Sequence, residues 1–278
     1  MARVRLVAIS AVTVVVVPLL GSLAQAAPRC FGKPATIVGT SGADDLQGTS
    51  GPDVIVARGG DDDVFGGGGV DRVCGGAGED RMVGGSSGDR MSGGDGRDLI
   101  QGSGGDDRLQ GGQNGDQMAG EEGADRVAGG PANDVLNGGP GGDTVLGGSG
   151  QDYASFSSGG AVVVNLAAGV ATGQGKDTLD TIERVVGSPQ ADRLTGDAGA
   201  NIFFAGAGAD QVLGGEGDDS AVGQRGGDRV FGQLGDDVMF GRAGDDELDG
   251  GADVDFASGG AHVTGDTCDA ETEEGCEF

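Results

Sequence analysis

Several residue types that most proteins use freely are nearly missing from this sequence. Its 278 residues include no Trp, one Tyr and one His, and its 17 Lys and Arg face 45 Asp and Glu. A formal net charge of −28 at pH 7 lacks the basic footprint that DNA or RNA binding requires, so we expect no nucleic-acid partner. A Ser–His–Asp triad would have to use His262, and the sequence has no His-Glu-x-x-His zinc motif, so we expect no enzyme.

Long hydrophobic runs are absent after the first 26 residues. At the start, Arg3 and Arg5 precede an apolar run from Leu6 to Leu20, and Ala24-Gln25-Ala26 has the form of a cleavage site. This pattern predicts a secretory signal peptide at residues 1–26, because the run is short for a membrane anchor. We therefore predict an extracellular protein whose mature chain has no transmembrane segment and whose charge, after loss of two arginines, moves from −28 to −30.

Cysteine is scarce, with only four residues. An even number of cysteines in an exported chain predicts two disulfides. Three pairings are open, and the grouping of the cysteines near the chain ends favours Cys30–Cys74 and Cys268–Cys276. Zinc binding is the competing interpretation, but no second ligand pair or His accompanies these cysteines.

Glycine, in contrast, is abundant, with 64 residues, and it recurs with a period of nine. Thirteen units run without a gap from Gly39 to Ser155, and eight more run from Gly187 to Ser258; one of them reads GGAGEDRMV. Position six is Asp in 20 of the 21 units and Asn201 in the other, position eight is apolar in all 21, and position one is Gly in 19. A random Gly/Asp-rich tract would not keep this register.

Each unit position has a physical role. The Gly-rich first half permits a sharp turn and lets backbone carbonyls converge, while Asp at position six adds a carboxylate. Calcium takes six to eight oxygen ligands, so two stacked loops would be needed to complete one site. Positions seven to nine then alternate outward, inward, outward as a short strand whose apolar eighth residue points to the core.

The repeat matches the pattern G-G-x-G-x-D-x-U-x of calcium-binding parallel β-helices. The sequence closely resembles the repeats-in-toxin (RTX), haemolysin-type calcium-binding family over residues 39–258. The resemblance implies an all-β fold, a parallel β-roll or β-helix solenoid in which each unit makes half a turn. It also implies calcium between the loops of units n and n+2, with a ceiling of about 17 ions.

The candidate calcium ligands share position six of their units. They are Asp44, Asp53, Asp62, Asp71, Asp80, Asp89, Asp98, Asp107, Asp116, Asp125, Asp134, Asp143, Asp152, Asp192, Asp210, Asp219, Asp228, Asp237 and Asp246. Some loops depart from the pattern and are predicted to be weaker sites. Asn201 lacks the charge, and position four is not Gly in five units: Ser87, Asn114, Ala132, Gln190 and Asp253.

The domain organisation follows from the two repeat blocks. We predict an N-terminal cap at 27–38, block one at 39–155, a spacer at 156–186, block two at 187–258 and a C-terminal cap at 259–278. The spacer is predicted to contain two strands, at residues 162–166 and 182–186, joined by a Gly-rich turn at 169–175. By resemblance, it stays within the roll; an inserted binding loop is the alternative.

Two outer surfaces carry further hypotheses. Arg72, Arg90, Arg108 and Arg126 occupy position seven with a spacing of 18, so a roll would align them in one ladder. They either balance neighbouring Asp or bind an anionic cell-surface or matrix glycan. In block two, Phe204, Val222 and Phe240 share one outward side; this predicts self-association or burial beneath the spacer or the C-terminal tail.

The most direct functional hypothesis is a secreted protein that binds multiple calcium ions and folds as they bind. Each half-turn buries about one apolar side chain, worth roughly 1.5–3 kcal/mol, whereas ordering nine residues costs on the order of 1–2 kcal/mol per residue. The metal-free chain is therefore predicted to be largely disordered. The alternative is a calcium-dependent adhesion or matrix-assembly protein that binds anionic glycan or itself.

Overall fold

The computed structural model describes residues 27–260 and 266–274. Over these two ranges the chain forms strands and turns without a helix, and so contains no helix able to cross a membrane. The predicted all-β fold is confirmed. The predicted signal peptide, residues 1–26, lies outside the described residues.

A small antiparallel hairpin opens the described chain. Its strands are β1 (Arg29–Cys30) and β2 (Lys33–Pro34), and a disulfide joins Cys30 to Cys74 with 5.7 Å between the Cα atoms. The predicted first bridge is therefore present, and it attaches the hairpin to the fourth repeat unit. The predicted second bridge involves Cys276, which lies outside the described residues.

Block one forms fourteen strands, counting the short strand that precedes it. They are β3 (Ile37–Val38), β4 (Asp45–Gln47), β5 (Val54–Gly59), β6 (Asp63–Gly67), β7 (Arg72–Ala77), β8 (Arg81–Gly85), β9 (Arg90–Asp95), β10 (Leu99–Gly104), β11 (Arg108–Gln113), β12 (Gln117–Glu122), β13 (Arg126–Pro131), β14 (Val135–Asn137), β15 (Thr144–Ser149) and β16 (Tyr153–Ser155). Most extend through position three of the next unit, beyond the predicted positions seven to nine, because the loop backbones of stacked units also pair, as Ser103 does with Gly85.

Successive units alternate between two parallel sheets. A strand pairs with the strand two units later, so that Leu109 lies beside Met91 and Val127 at a separation of 18 residues. Odd-numbered strands of block one form the first sheet and even-numbered strands form the second. The predicted parallel β-roll is confirmed.

One continuous cluster of apolar side chains, contributed by both sheets, lies between them. Along β9, Arg90 is exposed, Met91 is buried and Ser92 is half-buried, which is the alternation that a strand with one buried face requires. The position-eight side chains stack in this way along both blocks, and Phe203 is the largest of them. Position one also faces inward, beside the position-six carboxylate.

The spacer contains four strands instead of the predicted two. They are β17 (Val163–Asn165), β18 (Val170–Thr172), β19 (Lys176–Asp180) and β20 (Arg184–Val186). The predicted Gly-rich turn region at 169–175 contains the strand β18. The sequence pattern missed this strand because it has only three residues and lies among glycines. β17, β18 and β19 form an antiparallel meander within the first sheet, between β15 and the next block.

The spacer contributes one strand, β20, to the second sheet, where it pairs in parallel with β16. Both sheets therefore continue into block two. Its strands and those of the C-terminal cap are β21 (Arg193–Thr195), β22 (Ile202–Ala207), β23 (Gln211–Glu216), β24 (Ser220–Arg225), β25 (Arg229–Leu234), β26 (Val238–Ala243), β27 (Glu247–Ala252), β28 (Phe256–Gly260), β29 (Thr267–Asp269) and β30 (Thr272–Glu274).

Removal of the Cys30–Cys74 disulfide should lower the free energy of unfolding. The bridge spans 44 residues, and chain-entropy arguments give about 4 kcal/mol for a closed loop of that size. We expect the double substitution Cys30→Ala and Cys74→Ala to lower the urea midpoint in excess calcium. Ser92→Ala, at the position beside Cys74 in the sheet, is the control and should change stability little; equal midpoints for both proteins would contradict the prediction.

Candidate calcium-binding loops

The position-six aspartates point into the roll and are joined along its length by hydrogen bonds. The N–H of Asp80 donates to Oδ1 of Asp98 at 2.9 Å, and the N–H of Asp98 donates to Oδ1 of Asp116 at 2.8 Å. Because this bond recurs every 18 residues, the carboxylates form two columns, one before each sheet. Apart from the half-buried Asp44, each of these carboxylate residues is almost completely buried.

The second carboxylate oxygen has no partner in most units. Oδ2 is buried and receives no hydrogen bond in seventeen of the repeat units and in Asp266 of the C-terminal cap. Burial of a carboxylate oxygen without a partner destabilises the folded chain. A cation bound at these atoms would offset that cost. The residues concerned are Asp62, Asp71, Asp80, Asp89, Asp98, Asp107, Asp116, Asp125, Asp134, Asp143, Asp152, Asp210, Asp219, Asp228, Asp237, Asp246, Asp255 and Asp266.

In sixteen of these eighteen residues the unpaired oxygen lies beside a glycine whose missing side chain leaves a small cradle. In the units of Asp62 and Asp210 position one is alanine, Ala57 or Ala205. A Cβ atom on Gly84 would lie 2.5 Å from Oδ2 of Asp89 and 2.8 Å from the carbonyl oxygen of Gly102, one turn further on. A Cβ on Gly66 would likewise meet the carbonyl of Gly84 at 2.5 Å and Oδ2 of Asp71 at 2.7 Å. A carboxylate from one loop and a carbonyl from the next loop in the column thus converge on the same space.

Burial of these carboxylates changes their acidity. Desolvation raises the pKa of Asp80, Asp107 and Asp116 from 3.8 to about 7, and neighbouring carboxylates of the same column add to the increase. The pKa of Asp89 rises to about 6 for the same reasons. Backbone N–H donation to the carboxylate opposes the shift without cancelling it. The charged form therefore needs a compensating cation near neutral pH.

The donor set suits calcium. In the described part of the chain, no three His, Cys, Asp or Glu side chains meet as a cluster. One carboxylate per loop together with backbone carbonyls is an all-oxygen arrangement that a hard ion such as calcium prefers. When bound, calcium would supply positive charge to the buried Oδ2 atoms and link successive loops.

The structure places sixteen of the predicted ligands alike, with Oδ2 unpaired. The other three, Asp44, Asp53 and Asp192, accept hydrogen bonds at Oδ2 within their own loops. Asp255 has the same environment as the sixteen but was not among the candidates. Its unit, GGADVDFAS, does carry Asp at position six, so the sequence signal was available.

Residues outside the nonapeptides also extend the columns, and the sequence did not identify them. Asp177 of the spacer and Asp266 of the C-terminal cap accept the N–H of Asp143 and Asp246. Glu183 and Glu271 do the same for Asp152 and Asp255 through a longer side chain. Their separations of 34, 20, 31 and 16 residues break the period of 18, so no repeat search could find them.

Departures from Gly at position four do not disturb the backbone in three of the loops. Asn114, Ala132 and Asp253 have φ of 71°, 80° and 86°, the left-handed region in which glycine is favoured. Oδ2 remains unpaired in the Asp of each of these loops. The prediction that such loops bind calcium more weakly stays a prediction.

The predicted arginine ladder is present on the first sheet. Arg72, Arg90, Arg108 and Arg126 pair in register, and Arg90 lies over the ring of Phe31 at 3.9 Å. Within the described ranges, the two ion pairs, Arg81–Asp63 and Arg229–Glu247, involve other arginines.

The outward side chains of block two are also aligned as predicted. Phe204, Val222 and Phe240 pair in register on the second sheet and are half-buried. Phe240 packs against Phe256, with 5.7 Å between the ring centroids. The spacer contributes Ser157 and Val186 to the groove around Phe204 and Val222, so part of this surface is covered by the chain itself. Self-association stays a prediction.

A parallel roll whose stacked loops present buried carboxylates and converging carbonyls defines a calcium-binding β-solenoid. Comparison with protein-family models agrees with this class: the model of the RTX calcium-binding nonapeptide repeat matches residues 38–73, 71–91, 83–118, 119–154, 186–221 and 222–260. The chain belongs to this family. A comparison with curated proteins found no match. The predicted calcium cofactor, as multiple ions, is thereby supported by both fold and family.

Proposed function

We propose that this protein is a secreted, non-enzymatic calcium-binding protein that folds as several calcium ions enter its loops. The observation that carries the proposal is the series of buried Oδ2 atoms without partners, present in seventeen repeat units. A compact metal-free chain would hold these carboxylates close together in a poorly solvated interior, where desolvation and, to a lesser extent, charge repulsion raise their pKa. Calcium binding offsets this cost, so binding free energy becomes folding free energy.

Calcium titration followed by calorimetry tests the binding. The mature chain, freed of metal by chelation and dialysed at pH 7.5, should bind many calcium ions with midpoints of about 0.1–1 mM. Magnesium at the same concentrations should bind poorly, because it demands rigid octahedral geometry and retains its waters. An absence of calcium binding under these conditions would refute the proposed function.

Export is supported by the pattern of the first 26 residues and has its own test. The intact mass of the protein recovered from the culture medium should correspond to a chain that begins at Ala27. Protein that stays inside the cells, or a mass that includes residues 1–26, would contradict secretion with cleavage.

A second, lesser proposal is adhesion to an anionic glycan through the arginine ladder. It is supported by the exposed guanidinium groups of Arg90, Arg108 and Arg126, none of which has a carboxylate partner among the described ion pairs. Replacing the four ladder arginines by Gln should abolish retention on a carboxylated polysaccharide in calcium. Arg229→Gln, which removes an arginine already paired with Glu247, is the matched control, and equal retention of both variants would exclude this role.

A further inference from the structure

The loops fall into two groups according to the backbone at position two. In seventeen units this residue has positive φ, including non-glycine residues such as Arg58, Ser103 and Glu121. In the remaining four units the position-two residues, Thr40, Thr49, Ser188 and Asp197, do not adopt positive φ. The seventeen units of the first group are the same seventeen in which Asp Oδ2 is unpaired.

In the second group the loop is closed by its own side chains. The N–H of Thr49 donates to Oδ2 of Asp53 at 2.7 Å, and its hydroxyl donates to the same oxygen at 2.8 Å. The N–H of Gly51 in turn donates to the Thr49 hydroxyl at 3.1 Å. One threonine thus supplies one acceptor to the backbone N–H of Gly51 and two donors to the Asp53 carboxylate. The two donors take the place of the positive charge that a cation would bring to that carboxylate.

The other three loops repeat this network with different residues. Thr40 donates N–H and hydroxyl to Asp44 at 2.6 and 3.0 Å. Ser188 donates to both carboxylate oxygens of Asp192, at 2.5 and 2.8 Å. In the fourth loop the N–H of Asp197 donates to Oδ1 of Asn201 at 2.9 Å.

The four closed loops have a common place in the fold. They lie in the first and second units of block one and in the first and second units of block two. Since successive units alternate between the two columns, each closed loop is the first nonapeptide loop of its column within its block. The strands that enter these loops, β3, β4, β20 and β21, also stop before position one.

We propose that the backbone at position two decides which loops bind calcium. In each block, the first loop of each column is closed by hydrogen bonds and binds none. This inference rests on the proposed function. Calcium sites then begin with the third unit of each block. Each of the four closed loops removes the one site that it would share with the next loop of its column, so the ceiling of about 17 ions falls to about 13. The closed loops form ends that need no metal, and the first calcium-binding loops stack against them.

The one neutral residue at position six supports this division. Asn201 replaces Asp in a closed loop, where its amide oxygen accepts the N–H of Asp197 and no charge is needed. The other seventeen loops, in which Asp Oδ2 has no partner, are open loops. The same substitution in an open loop would remove the carboxylate that a calcium ion requires. The chain therefore carries its single Asn where the proposal tolerates it.

Paired Asp→Asn substitutions test the proposal. Asp53→Asn and Asp71→Asn lie in neighbouring loops of one column, closed and open respectively, and Asp44→Asn and Asp62→Asn repeat the comparison in the other column. We expect Asp53→Asn and Asp44→Asn to bind as many calcium ions as the unsubstituted chain, measured by calorimetry. Asp71→Asn and Asp62→Asn should each bind at least one ion fewer.

The outcomes separate this inference from the proposed function. If the unsubstituted chain binds calcium and Asp53→Asn loses as many ions as Asp71→Asn, position two does not select the sites and the inference fails alone. If an open-loop variant does not fold in calcium, Thr49→Val decides: it removes the hydroxyl but leaves the Asp53 carboxylate, so unchanged stoichiometry with a lower unfolding midpoint is expected. A lost ion in Thr49→Val would show that the hydroxyl belongs to a calcium site and would overturn the proposal.

Discussion

Chelation of calcium at pH 7.5 should abolish the β-sheet signal of this protein, and acidification of the chelated protein should restore part of it. The physical reason is the raised pKa of the column carboxylates, about 7 for Asp107 and Asp228 and about 6 for Asp89 and Asp125. In the unfolded chain these groups titrate at about pH 4. Between about pH 4 and pH 7 the metal-free compact state therefore binds more protons than the unfolded chain.

The sign of the effect follows from that difference. Protonation stabilises the metal-free compact state fully below the unfolded pKa, and this stabilisation is lost as the pH rises through 6 to 7. Calcium needs the ionised carboxylates, so its binding releases protons and its midpoint should rise about tenfold between pH 7.5 and pH 5.5. Far-UV circular dichroism in chelator at the two pH values checks the first effect, and calcium titrations at both check the second.

Comparison with added salt provides the control. Sodium chloride at the same ionic strength screens the repulsion between exposed charges but supplies no ligand-bound ion, so it should not replace calcium at pH 7.5. A chelated chain that keeps its full β-sheet signal at pH 7.5, or one that loses structure on mild acidification, would contradict the prediction. The comparison is made at pH 5.5 because the sequence pI of about 4.1 favours aggregation at lower pH.

The second large effect is expected at the core of block two. Phe203 is completely buried and has Val185 and Ala221 as its neighbours in the sheet. Hydrogen-bonded strands on both sides hold it in place, so the cavity left by Phe203→Ala cannot close by strand movement. We expect a loss of about 3–5 kcal/mol in the free energy of unfolding in calcium, measured by urea denaturation.

Phe65→Ala is the matched control for that experiment. Phe65 is at the outward position nine of its unit and is 37% exposed, so its truncation should cost no more than about 1 kcal/mol. Similar losses of unfolding free energy for the two variants would mean that the buried position-eight side chains do not stabilise the fold.

Much of the architecture could be predicted because it is periodic. Asp at position six, the apolar residue at position eight and Gly at position one each recur with the same spacing, and that spacing fixes strands, register and inward faces. The inward aspartates such as Asp89 and the core residues such as Met91 were therefore identifiable before any coordinates. The Cys30–Cys74 bridge was favoured by position in the chain, although three pairings were open.

The parts that escaped prediction are those in which the period fails. Nothing local distinguishes Asp177 or Glu183 from the many other acidic residues of the chain; only the pairing of β19 with β15 and of β20 with β16 brings them into the columns. The closed loops escaped for a different reason. Thr49 and Ser103 look alike as hydroxyl residues at position two, but only Ser103 has positive φ, and a backbone angle is not readable from one side chain.

The antiparallel meander of the spacer makes this solenoid tolerant to added chain at one point. All of its extra length lies in the first sheet, while β20 alone carries the second sheet past it. Exposed Ala167 and Ala168 lie in the middle of the link between β17 and β18. A foreign peptide could be inserted between them with little disturbance of the sheet. Such a graft would be displayed on one side of the solenoid, and under the proposed function a chelator would unfold the solenoid beneath it.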